Sequence, residues 1–151
     1  MADYGIITVR AVIYRQGKLL MVTNKWVPGY LVLPGGGMDP GESVTDALER
    51  EIVEELGVKP KIGQLIAVHQ VKKINGVFWL PNFIFHITNP EDFTNINLSE
   101  TTHGEDEIEE FKFTDDFSKL LPQEIIPLLE NIDEDDYHAS TEIIISDEIK
   151  K

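Results

Sequence analysis

The chain opens on a run of alternating positions. Ile6, Thr8, Arg10, Val12 and Tyr14 share one parity, and Ile7, Val9, Ala11 and Ile13 share the other. Both sets are largely apolar, the pattern of a strand covered on both faces inside a sheet. Gln16-Gly17 reads as a hairpin turn into a second strand at 19–22. Residues 26–29 read as a loop and 30–33 as a short strand stopped by Pro34. Gly35, Gly36 and Gly37 follow, and with Pro40-Gly41 they predict a long flexible turn.

The period then becomes helical. Ser43 is a good N-cap, Asp46 makes an approximate capping box, and the helix should run to about Leu56 before Gly57 ends it. Two strands at 62–71 and 77–88 flank Asn75-Gly76, a strong hairpin signal. Residues 89–106 are polar and read as a loop, and 109–113 as a last short strand. Residues 123–131 read as a helix that Pro127 kinks or restarts. The chain shows no internal repeat. It divides into a domain at 1–131 and an acidic C-terminal tail at 132–151, where Ile143–Ile145 is open to two readings, an added strand or disorder.

The helix breaks its own pattern. With Val44 as zero on a wheel of about 100° per residue, Ala47, Leu48, Ile52 and Leu56 fall near 300°, 40°, 80° and 120°. Glu51 and Glu55 fall at about 340° and 20°, inside that apolar arc, with Glu54 at its margin near 280°. Glu49, at about 140°, reads as a solvated acid beside the stripe. Carboxylates spaced i, i+3 and i+4 are neighbours, so these three are expected to meet. Like charges in partly buried surroundings repel and lose hydration, and a hard divalent cation relieves both costs. A merely solvated charged helix is the ordinary alternative. It fails here because two acids interrupt the face that should be buried.

Composition changes the picture only at the margins. A 151-residue chain with 42% hydrophobic and 9% aromatic residues fits one folded domain. The absence of cysteine excludes disulfides, thiolate metal sites and cysteine nucleophiles. The first ten residues lack a secretory pattern, and no apolar run approaches the roughly 20 residues that span a bilayer. The expectation is a cytoplasmic protein with no membrane partner. A net charge of −14 disfavours nonspecific nucleic-acid binding, although a bound cation reverses the local field for a polyanionic small molecule. Seven of the 27 acids lie beyond residue 131 and read as solvated surface.

Residues 36–58, GGMDPGESVTDALEREIVEELGV, resemble the Nudix box, G-x5-E-x7-R-E-U-x-E-E-x-G-U with U a bulky aliphatic. Gly36, Glu42, Arg50, Glu51, Ile52, Glu54, Glu55, Gly57 and Val58 meet every specified position, and a chance match is on the order of one in a million. The resemblance implies an α/β protein, the Nudix-fold α/β/α sandwich around a mixed β-sheet. It also implies a hydrolase that cleaves a diphosphate linked to another group, usually a nucleoside, by water attack on phosphorus.

Carried over residue by residue, the resemblance assigns Glu51, Glu54 and Glu55 to Mg²⁺, with Mn²⁺ as the alternative, and gives Glu51 a second task as base. Arg50 and Glu42 match positions that hold the glutamates in place. Gly36 and Gly37 match a loop whose backbone approaches metal and phosphate. The family often adds an acid from outside the box. Among Glu105, Asp106, Glu107, Glu109 and Glu110, the way residues 107–113 begin the last strand favours Glu107 as a further metal ligand. Tyr30 and Trp26, with Phe78 and Trp79, are available to stack on a base, against the plainer reading of ordinary packing. His69 and His86 read as strand residues, and with His103 they show no zinc spacing.

The expected partner is a nucleotide or another diphosphate-containing small molecule. Family members are often homodimers, which makes a homodimer a further expected state. Two alternatives stand beside the pyrophosphohydrolase. One is a non-catalytic Nudix-fold domain that binds a nucleotide for regulation, and the other is a plain acidic interaction protein.

Overall fold

The computed structural model describes residues 7–24, 28–71, 81–101 and 108–146. β1 (Thr8–Val12) runs into β2 (Tyr14–Arg15), and Gln16 and Gly17 turn the chain back into β3 (Lys18–Asn24). Both turn residues have positive φ, 52° and 78°, the left-handed pair that suits a two-residue hairpin. β4 (Leu31–Val32) and β5 (Gly35–Gly37) precede α1 (Val44–Leu56), and β6 (Ile62–Val71), β7 (Asn82–Ile87), β8 (Ile108–Thr114), β9 (Leu120–Leu121) and β10 (Glu142–Ser146) follow. One sheet has the order β10-β6-β7-β1-β5, with β1–β7 and β6–β10 parallel and β6–β7 and β1–β5 antiparallel. In the second, β3 pairs with β2, β4 and β8, while β4 lies parallel to β9.

Two cores follow from strand parity. Val9, Ala11, Phe85 and Ile87 pack with Ala47, Leu48, Ile52 and Leu56 of α1. Val12, Leu19, Met21 and Ile84 pack on the other side with Ile125, Leu129, Ile132 and Tyr137. This is the mixed α/β sandwich that the resemblance implies, and period-2 and period-3.6 burial build it in the usual way. Among the described residues no helix is long and apolar enough to cross a membrane.

Three expectations change on contact with tertiary structure, and one left open is decided. The glycine run is not a flexible turn but β5, paired Thr8↔Gly37, Val9↔Gly36 and Arg10↔Gly35. A side chain at Gly35 (φ 142°) would overlap the Val9 carbonyl, so the composition that suggests a turn serves close backbone approach instead. The polar stretch after β7 contains short 3₁₀ turns at Pro90–Phe93 and Leu98–Glu100, and Phe93 is fully buried in the α1-side core. Gln123–Asn131 is a 3₁₀ helix, where Pro127 removes a backbone donor from the middle of the segment. Of the two readings at 143–145 the strand is the one found: β10 lies against β6, with Ile144 toward the core and Ile143 and Ile145 exposed. The Asn75-Gly76 turn, Phe78 and Trp79 lie outside the described residues.

Candidate active site

Local rules place α1. The Ser43 hydroxyl accepts from the Asp46 amide at 3.1 Å, and Gly57 ends the helix at φ 74° with its N–H on the Val53 carbonyl. The apolar stripe then docks on β1 and β5, which turns the glutamates toward the glycine strand. Glu55 is buried at 5% exposure, and its Oε2 accepts from the Gly35 amide at 3.2 Å. Glu51 lies so close over Gly36 that a Cβ there would overlap its carboxylate. A side chain at Gly36 would therefore have to displace the Glu51 carboxylate of the site itself.

Arg50 organises the rest. Its Nε and Nη2 donate to the two oxygens of Glu42 at 2.8 Å each, a planar fork on a carboxylate. Nη1 donates to Glu51 Oε1 at 2.9 Å and to Glu54 Oε2 at 3.2 Å, and Nη2 also reaches the Gly37 carbonyl at 3.0 Å. Glu42 further accepts from the Asp39 amide at 2.7 Å. The Arg50 hydrogen bonds, helped by the Asp39 amide, pull the Glu42 carboxyl down to about 2 and push Arg50 up. Glu49 stands apart, 3.5 Å from the Lys59 ammonium at the surface, as its place on the wheel predicts.

The three box glutamates share an edge without closing on one point. Among the described residues, no three acid or imidazole groups converge so as to hold an ion as they stand. Helical spacing brings the backbones near, and each carboxylate accepts from a nearby donor. For Glu51 and Glu54 that donor is Arg50, and for Glu55 it is the Gly35 amide. The donor chemistry still fits a hard divalent cation, since carboxylate and carbonyl oxygens line the edge and sulfur is absent from the set.

The family model for the NUDIX domain matches residues 6–138. The chain belongs to the Nudix family. It is similar to human diphosphoinositol polyphosphate phosphohydrolase 3-alpha, at 41% identity over 56 residues, 37% of this chain and 34% of that protein. The match thus spans about a third of the length of those relatives. The solution structure of the Escherichia coli ORF135 protein is similar at 28% identity and a TM-score of 0.61, over 83% of this chain and 86% of the other. A MutT Nudix hydrolase from Burkholderia pseudomallei is similar at 28% identity and a TM-score of 0.55, over 74% and 83%. Nudix hydrolases generally use divalent metals, in keeping with the oxygen-only edge of α1.

The remaining candidates divide. Tyr30 stands just before β4, with the Lys119 ammonium 5.9 Å from its ring centre, on the β4–β9 side rather than in the Arg50 network. Trp26 and Glu107 lie outside the described residues. His69 and His86 are strand residues, and burial lowers the proton affinity of both, with His69 Nε2 3.1 Å from the Ser146 hydroxyl. Arg10 was not singled out by the sequence pattern. Its Nη1 donates to the Leu33 and Gly35 carbonyls at 3.1 and 3.2 Å. Burial lowers its pKa, opposed by the charges of Glu55 and then Glu51. The available signal was a lone charge inside a strand apolar on both faces.

Proposed function

We propose that this Nudix hydrolase is a Mg²⁺-dependent pyrophosphohydrolase, with Mn²⁺ as a substitute, acting on a nucleoside di- or triphosphate or a related nucleotide. The observation that carries the reading is the Arg50 fork, which seats Glu42 while its third nitrogen spans Glu51 and Glu54 beside the glycine strand. Glu51, Glu54 and Glu55 would hold the cation, with Glu107 proposed as a further ligand on the resemblance alone. A bound divalent cation supplies an acidified water and screens the phosphoryl oxygens. Glu51 takes the proton of the attacking water, and Arg50 keeps the carboxylates from swinging into solvent. As the resemblance implies, the backbone at Gly36 and Gly37 would approach the metal and the diphosphate, and Tyr30 and Trp26 are the proposed aromatic partners of the base.

Charge favours the nucleotide class over the substrate named in the inositol relatives. A chain at −14 with only 13 basic residues offers little counter-charge to a densely phosphorylated inositol ring. A nucleotide carries less charge, and the cation neutralises much of it.

The test is turnover of a panel of nucleoside triphosphates, nucleotide sugars, ADP-ribose and a diphosphoinositol polyphosphate, with Mg²⁺ and with chelator. Metal-dependent release of phosphate-containing product from a nucleotide is expected, and Glu54→Gln should lower it by about 100-fold or more with the fold retained. Binding of nucleotides without turnover would replace the reading with a regulatory one. Unchanged turnover in Glu54→Gln would remove the site assignment.

A further inference from the structure

We propose that Arg10 is a positioning residue for the metal-binding edge, acting through the backbone of Leu33 and Gly35. The inference rests on the reading of Glu51, Glu54 and Glu55 as the cation's ligands. A guanidinium on a strand this apolar loses hydration, a cost that persists only where other bonds offset it. Arg10 spends its Nη1 on two carbonyls that flank Pro34, those of Leu33 and Gly35. The carbonyl between them, Pro34, accepts from the Ala11 amide at 2.9 Å. Three successive carbonyls are thus held from β1, and the peptide planes between β4 and β5 have little freedom to rotate.

Those planes set the site. The amide of Gly35, which donates to Glu55 Oε2, lies in the plane whose Pro34 carbonyl the Ala11 amide holds, between the two planes whose carbonyls Arg10 holds. The next residue, Gly36, is the one that lies against the Glu51 carboxylate. β5 is glycine throughout, so it has no side chains of its own to fix its conformation, and glycine is the residue most free to leave any one backbone geometry. Arg10 adds a side-chain restraint to the backbone pairing of β5 with β1. It also sets a positive charge in the field of Glu55 and Glu51, which holds two acids together at one helix edge.

The test is divalent-cation binding by the intact chain without nucleotide, read as free Mn²⁺ by electron paramagnetic resonance. Arg10→Met keeps the apolar stem and removes the donors, and Arg10→Lys keeps the charge without the planar fork. Arg10→Met should weaken Mn²⁺ binding by about tenfold or more, as loss of outer partners does elsewhere, with Arg10→Lys in between. Hydrogen exchange at the Gly35 amide should quicken in both variants while the β3 amides stay protected. An unchanged or tighter Mn²⁺ affinity in folded Arg10→Met would overturn the proposal and leave Arg10 a stabilising residue only. If Arg10→Met does not fold, Arg10→Lys with native Gly35 protection and native affinity does the same. Failure of the unmodified protein to bind Mn²⁺ would instead overturn the ligand assignment beneath it.

Discussion

Four consecutive acids at 133–136 give the C-terminal turn a denser run of negative charge than any stretch of α1, yet only the helix edge has the build of a site. Asp133, Asp135 and Asp136 are exposed; Asp133 and Asp136 have local partners, while Glu134 accepts from the Gln16 amide at 3.1 Å. His138 Nε2 lies 2.6 Å from Asp133, its Nδ1 lies 3.5 Å from Asp136, and the Asp133 amide bonds the Asp136 carbonyl at 2.9 Å. Water can solvate whatever these contacts leave over. On α1 the acids are partly or wholly out of water beside the apolar stripe that carries them, and they are served by Arg50 of the same helix and by the Gly35 amide. Arg50 reaches back to Glu42 and Gly37, and Gly35 reaches in from β5. Charge density alone is cheap in water. Desolvated charge with directed partners from several elements is what confers chemistry.

The largest break in that contrast should come from Arg50. Arg50→Met removes the common partner of Glu42, Glu51 and Glu54, so turnover should fall by about 100-fold or more, with a lower melting midpoint. Combining it with Glu42→Gln should cost less than the two separate losses added together, because both act through one network. Purely additive losses would show that the fork is incidental. The fork should also survive ordinary acid. With its carboxyl depressed to about 2, the stabilisation from Glu42 is present above its unfolded value near 4.5 and is lost only as pH falls toward 2.

A smaller effect is expected from Gly36→Ala. The added methyl displaces the Glu51 carboxylate, and turnover should fall by about 10- to 100-fold while circular dichroism remains native. Full activity would mean that the position of Glu51 is not critical.

The smallest effect belongs to the other acidic region. Asp133→Asn should leave turnover unchanged and shift the melting midpoint by no more than about 2 °C. The sign follows from His138, whose pKa is raised chiefly by its hydrogen bond to Asp133. That pair's contribution is fully present below the unfolded histidine value near 6.5 and is lost as pH rises through the raised folded value. The shift should therefore be seen in melts at pH 5 to 6 and vanish at pH 9. A turnover change in this variant would tie the turn to the site and dissolve the contrast.

Much of this was legible in the chain because its causes are local. Alternation marked β1, the Gln16-Gly17 pair marked the first hairpin, and Ser43 and Gly57 bracketed α1 at the residues where the caps are found. The glutamate misfit was visible too, since a helical wheel needs only sequence spacing. The glycine strand was not legible, because three glycines carry the same composition whether they turn freely or press against β1. Phe93 was hidden inside a polar stretch, and only packing against α1 decides that a lone aromatic there is core.

By itself, then, the sequence determined the helix, its caps and the three carboxylates on its buried edge, for each follows from residues within one or two turns of each other. Only the tertiary structure decided what those carboxylates do with their charge. That depends on Arg50 folding back to Glu42, on the Gly35 amide reaching Glu55, and on Arg10 holding the strand that carries it. These contacts join residues 8 to 25 positions apart, and hydrogen bonds of that kind are set by distance and angle in space, which no local pattern encodes.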